Sequence, residues 1–216
     1  MNNIKSVLIS IRPKWCKLII DGIKTLEIRK SKPKLPTPFK CYIYCTAGSG
    51  KNTLNIPITD EMLLNDLIEN GTMDCMNCPV GNGKVIGEFI CDDIITRFPG
   101  DMVYDDKGNL REEDEFVNAS CLSFDEILDY AFNGSSNNVV YGWHISELKI
   151  YDKPKELKEF FALCDMGCEL CEYWTYQRVN ADEFDMDCGS RVFGCKEIKR
   201  PPQSWCYVEE VEGGVL

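Results

Sequence analysis

Gly22-Ile23-Lys24-Thr25-Leu26-Glu27-Ile28-Arg29 places alternating apolar and charged residues directly after a glycine. Alternation of this kind reads as a half-buried strand. Glu27 and Arg29 are two apart and leave the same face. They can pair, and the Arg29 fork can then offer its remaining donors to a phosphate or a base. Lys24 opens the strand, beside the turn, where an ammonium reaches into a cleft. The purely structural alternative is a salt bridge on a barrel face. Upstream, Val7-Leu8-Ile9-Ser10-Ile11-Arg12 is rich in β-branched residues and reads as another strand. Pro13 suits the first turn of a helix. Trp15, Leu18 and Ile19 recur at helical spacing, so residues 13–21 are predicted to be a short helix that Gly22 terminates. Downstream, a Pro-rich loop (Lys32 to Pro38) leads to a third strand, Lys40 to Thr46.

Further out the pattern loosens. Residues 47–82 read as an insertion, with a Gly/Ser loop and a helix around Thr59–Asn70. Lys84 to Phe98 and Val139 to Tyr151 have strand character. Residues 99–120 are acidic and poor in apolar side chains, which predicts an exposed loop. Ser123 and Glu126 form a capping box for a helix through Phe132. A helix is expected over Pro154–Leu163, a Cys-rich segment over 164–199, and a closing strand at Trp205–Glu209. The expectation is a single α+β domain over 1–216: a small mixed β-barrel of about six strands with helices outside it, because long helix-strand alternation is absent.

The 216 residues are 44% hydrophobic and 27% charged, which excludes a disordered tail or a collagen-like fibre. No apolar run approaches the ~18–20 residues that span a bilayer. The start lacks the apolar core of a signal peptide, so a soluble cytoplasmic protein without membrane association is expected. The net charge of −11 is unevenly spread. Residues 1–40 hold ten basic and two acidic groups, a net of +8, and the remainder carries −19. The acidic total opposes broad binding to long nucleic acid. A compact basic patch on that background fits a small or precisely placed anion.

The 13 cysteines, an odd number without a secretory signal, argue against a disulfide framework. Cys16, Cys41, Cys45, Cys91 and Cys206 read as small buried hydrophobes. Cys168, Cys171, Cys188 and Cys195 supply four thiolates in a segment with few aliphatic residues, a candidate structural Zn2+ site. The rival set joins Cys75 and Cys78 to Cys168 and Cys171, with Cys164 spare in either scheme. Ala47-Gly48-Ser49-Gly50-Lys51-Asn52 is not a P-loop, because Cys45 stands where the first glycine belongs and Asn52 where the magnesium-binding hydroxyl belongs. His144 is the only histidine, which excludes a multi-His metal site. Either it or its neighbour Trp143 faces inward.

Ser10-Ile11-Arg12-Pro13, a short helix, and then Gly22-x-Lys24-Thr25-x-Glu27-x-Arg29 resemble the start of the ASCH domain. Lys84-Val85-Ile86-Gly87-Glu88-Phe89, Tyr141-Gly142-Trp143-His144-Ile145 and Pro201-Pro202-Gln203-Ser204-Trp205-Cys206-Tyr207 also look like ASCH proteins of bacterial and phage type. The resemblance implies a PUA-like β-barrel related to RNA-binding domains. It also implies a cleft beside the first helix that takes RNA, a modified nucleobase or a nucleotide. Lys24 and Arg29 then contact phosphate, Arg12 and Lys14 add to the rim, Glu27 orients Arg29 or reads a base edge, and Trp15, Tyr44 or Trp143 stacks on a base. Some family members are amidohydrolases acting on acetylated cytidine, and a nuclease role is attributed to others. For an enzyme, Lys24 and Glu27 are the acid/base candidates and Glu88 a further carboxylate. The family's nucleophilic Thr has no counterpart, since Glu27 stands at that position. A third reading is a protein-interaction role in which the acidic surface mimics nucleic acid.

Overall fold

A computed structural model describes residues 5–48, 53–57, 79–98, 102–132, 139–162 and 196–209. The sequence-predicted helix at Thr59–Asn70 and Cys75, Cys78, Cys164, Cys168, Cys171, Cys188 and Cys195 lie outside them. The described strands are β1 (Lys5–Ile11), β2 (Leu26–Arg29), β3 (Phe39–Cys45), β4 (Lys84–Cys91), β5 (Ile94–Phe98), β6 (Met102–Tyr104), β7 (Leu110–Arg111), β8 (Val140–His144), β9 (Ser146–Lys155), β10 (Phe161–Ala162), β11 (Lys196–Glu197) and β12 (Trp205–Glu209). The helices are α1 (Pro13–Ile20), α2 (Glu113–Ser120) and α3 (Phe124–Phe132), with a 3-10 turn at Leu157–Glu159.

The class is mixed α+β, but the expected single barrel is not what forms. Hydrogen bonding arranges the described strands in two sheets, ordered β11-β10-β12-β1-β3-β4-β9 and β2-β8-β5-β6-β7, and no barrel closes. The strand count was low because Asp92-Asp93 and Ile145 each interrupt a run that alternation alone reads as continuous. The chain divides into two compact units, one of residues 1–13, 40–87 and 151–216, the other of 14–39 and 88–150.

In the first unit, β1 lies between β12, antiparallel, and β3, parallel. β1 is buried almost throughout, as its continuous apolar run requires. Leu8, Tyr42, Tyr44, Val85, Phe160, Ile198 and Val208 form its core. Ser10 is buried there, and its hydroxyl donates to the Pro202 carbonyl at 2.7 Å. Among the described residues 154–162 the predicted helix over Pro154–Leu163 does not form. Pro154 and Lys155 complete β9 instead, Glu156 and Glu159 cap a single 3-10 turn, and Phe160 turns into the core. Phe160 fills a pocket against Tyr42, edge-on at 5.0 Å. One buried aromatic outweighs the weak helix preference of the surrounding polar residues.

In the second unit, Leu26, Ile28, Ile95, Val103, Phe116, Ile127, Ala131 and Val140 form the core. In the segment 99–120, expected to be an exposed loop, the described residues 102–120 instead supply a short hairpin and α2. Two local devices stabilise them. The Asp105 carboxylate accepts the backbone N–H groups of Lys107 and Asn109 and closes the hairpin turn. Glu113, Asp114 and Glu115 sit in the first turn of α2, where its dipole favours anions. Phe116 is the apolar anchor. The Ser123/Glu126 capping box forms as predicted, with N–H donations of 2.8 and 3.2 Å. Gly142 is required by packing, because a Cβ there would lie 2.6 Å from Leu26 and 2.8 Å from Phe116.

Candidate ligand site at the start of β2

Gly22 takes φ +70°, a left-handed conformation that glycine adopts without steric cost. Its N–H donates to the Ile19 carbonyl, and the N–H groups of Ile23 and Lys24 both reach Leu18 O. This Schellman-type ending stops α1 and delivers Lys24 to the threshold of β2. The side of β2 carrying Leu26 and Ile28 is set by the core. Burying each is worth about 1.5–3 kcal/mol, and a one-residue slip would expose both. Glu27 and Arg29 are therefore forced to the other face, whatever their charges prefer. They pair in register with Trp143 and Tyr141 of β8.

The charged residues on this strand are nevertheless buried. Lys24 is 2%, Glu27 6% and Arg29 8% exposed. Glu27 joins the two cations, with Oε1 2.9 Å from Arg29 Nη2 and Oε2 3.5 Å from Lys24 Nζ. Lys24 Nζ also donates to Leu26 O at 2.8 Å and Ser120 O at 2.6 Å. Three acceptors thus face an ammonium with three protons. Ser120 ends α2, so Lys24 places its charge where the helix dipole is negative. Burial lowers the Lys24 pKa from its ordinary 10.5, against the opposing pull of Glu27 and Cys121. Trp15, half-buried on α1, lies 5.2 Å by ring centroid from Lys24 Nζ and 4.3 Å from Lys14 Nζ. These are cation–π distances.

Among the sequence-selected residues, the structure brings together Lys14, Trp15, Lys24, Glu27 and Arg29. Arg12 is exposed and belongs, with Tyr44, to the first unit. Tyr44 is a core residue there, its hydroxyl pKa raised by burial. Trp143 is fully buried, edge-on to Phe39 at 5.8 Å, and presents no open face for stacking on a base. Of the two neighbours on β8, Trp143 faces inward, whereas His144 is partly exposed and hydrogen-bonded to Asp92. Sequence reasoning missed Ser120, the distant acceptor of Lys24. Its only local signal was the capping pattern that starts the following helix at Ser123.

No helix among the described residues is long and apolar enough to cross a membrane. No family model matches the chain, and no curated protein matches it in sequence. Among solved structures, the chain is similar to ASCH from Zymomonas mobilis at 15% identity and a TM-score of 0.45, with 93% of this chain and 85% of that chain covered. Two single-substitution variants of that protein match at 14% identity. One has a TM-score of 0.41 over 93% and 87% of the two chains, the other 0.42 over 95% and 89%. The chain is thus similar to solved ASCH structures over most of both lengths.

Proposed function

We propose that this protein is an ASCH-type, PUA-like binding module that holds an RNA element, a modified nucleobase or a nucleotide at the site built on Trp15, Lys24, Glu27 and Arg29. The observation that carries this reading is the burial of three charged groups on one short strand. Desolvating such groups offsets most of their mutual attraction, so the network is a poor way to gain stability alone. Networks of this kind recur where a site must be pre-organised. Glu27 fixes the Arg29 fork. Lys24 directs its protons inward and acts on an anionic ligand through its field. The exposed Lys14 supplies a direct phosphate contact, and Trp15 offers a partly open ring for a base. Trp15→Ala with Lys14→Ala should abolish binding of short RNA or nucleotides while the fold survives. Unchanged affinity for every ligand tested would reject the assignment.

The lowered Lys24 pKa favours a second reading, in which Lys24 exchanges a proton with a bound substrate and Glu27 is its partner. Turnover of acetylated cytidine or short RNA, lost in Lys24→Arg while ligand binding persists, would support it. Binding without turnover leaves the module reading in place. A structural zinc held by Cys168, Cys171, Cys188 and Cys195, or by Cys75 and Cys78 with Cys168 and Cys171, is proposed from their thiolate chemistry and spacing alone.

A further inference from the structure

The register of the second sheet carries the face of Arg29 outward. Directly opposed residues of antiparallel strands share a face. Arg29 pairs with Tyr141, Tyr141 with Thr96, Thr96 with Tyr104, and Tyr104 with Leu110. These five stand in one row across β2, β8, β5, β6 and β7. Phe98 and Met102 pair with each other on the same face. The opposite face sends Ile28, Ile95, Val103 and Val140 into the core with Phe116 of α2 and Ile127 of α3. Exposure rises along the row. Arg29 is buried, Tyr141, Thr96 and Tyr104 are half-buried, and Phe98, Met102 and Leu110 are exposed. Phe98 stands edge-on to Tyr104 at 6.0 Å, and the Tyr104 hydroxyl donates to Met102 Sδ at 3.8 Å. The β2–β3 connection lies against the same face. Phe39 packs on Trp143, the Thr37 hydroxyl donates to the Asp106 carboxylate, and Lys32 Nζ lies 5.4 Å from the Tyr141 ring centroid. Lys32 and Lys34 on this connection are exposed.

Building on the binding function proposed for β2, we propose that the open part of this face extends that site, so that the ligand is a single-stranded nucleic acid rather than a lone nucleotide. Further bases stack on Tyr141, Tyr104 and Phe98, and Lys32 and Lys34 meet the backbone. Single strands are held in this way, by aromatic platforms bordered by cations. A protein partner would use the exposed rings but has no need of the lysines beside them. The size also fits a strand. From Arg29 to Tyr104 the row crosses three strand spacings, about 14 Å. At the ~3.4 Å rise of a stacked strand, that is about four nucleotides.

Calorimetric titration with oligouridylate, its deoxy counterpart and oligoadenylate of about six nucleotides, beside UMP and AMP, tests the extension. At least one oligonucleotide should bind about tenfold tighter than either mononucleotide. Phe98→Leu and, separately, Tyr104→Leu keep an apolar side chain and remove the ring. Each, shown to be folded by circular dichroism, should weaken oligonucleotide binding about fivefold or more, as the loss of one stacked base requires. Tighter binding of oligouridylate than of its deoxy counterpart supports the proposal with RNA as the ligand, and the reverse supports it with DNA. The extension is overturned while the β2 site stands if a mononucleotide binds as tightly as every oligonucleotide. The same holds if both leucine variants bind like wild type and the Trp15→Ala and Lys14→Ala double variant does not. Absence of binding by every probe overturns the extension together with the site on β2. Self-association in sedimentation that Phe98→Leu abolishes, with oligonucleotide affinity unchanged, makes the face a protein contact and also overturns it.

Discussion

Replacing Glu27 with Gln keeps the shape of the side chain and removes the anion that joins Lys24 to Arg29. In the native protein the carboxylate lies 2.9 Å from one cation and 3.5 Å from the other, and all three groups are at least nine-tenths buried. Each contact at an effective dielectric of about 20 is worth roughly 5 kcal/mol before desolvation. Neutralising Glu27 also removes its own desolvation cost, which returns part of that energy. What remains is two buried cations without this counter-charge, and breaking a buried pair in this way typically costs about 3–5 kcal/mol. Glu27→Gln should therefore lower the unfolding free energy, read by urea denaturation at neutral pH, by about 3–5 kcal/mol. The loss should persist at about 0.5 M salt, because buried pairs are weakly screened. A loss under about 1 kcal/mol, or one that salt erases, would refute the claim that these charges are locked together away from water.

Gly142→Ala should destabilise by about 1–3 kcal/mol through overpacking against Leu26 and Phe116; a neutral substitution in thermal unfolding would show that β8 can move aside. Lys24 has a folded-state pKa below its ordinary 10.5, so the unfolded chain binds more protons between those two values and stability rises with pH there. The stability advantage of wild type over Lys24→Met should thus grow as pH climbs toward 10.5, and a flat or falling difference contradicts it. Purified protein should carry about one zinc that chelators remove, given the ligand count of a tetrahedral site. Metal analysis finding under about a tenth of an equivalent rejects that site.

The local geometry of residues 22–29 was legible because two short-range rules coincide there. A glycine at the helix end fixes where β2 begins, and period two puts Glu27 and Arg29 together. Neither rule says how deep the strand lies, so burial of Lys24 was not readable. That depends on Ser120 O, 96 residues away. The same distance effect explains the misread loop at 99–120. Its composition is that of exposed chain, and one residue, Phe116, changes its fate by joining a core built from β2, β5 and β8. Trp143 and Tyr44 show the converse limit. An aromatic on a strand is equally compatible with a ligand platform and a core, and only packing decides. The barrel expectation failed for a related reason, since strand number and closure depend on long-range pairing that alternation does not encode.

We propose that the Trp15–Lys24–Glu27–Arg29 site holds an anionic nucleic-acid ligand. Equilibrium binding of wild type to a panel of nucleotides, modified nucleosides and short RNAs tests it most directly, with the Trp15→Ala and Lys14→Ala double variant run in parallel. At least one ligand should bind saturably, with affinity that falls as salt rises, and the folded double variant should lose that binding. Absence of binding across the panel, or equal binding by the double variant, would contradict the account.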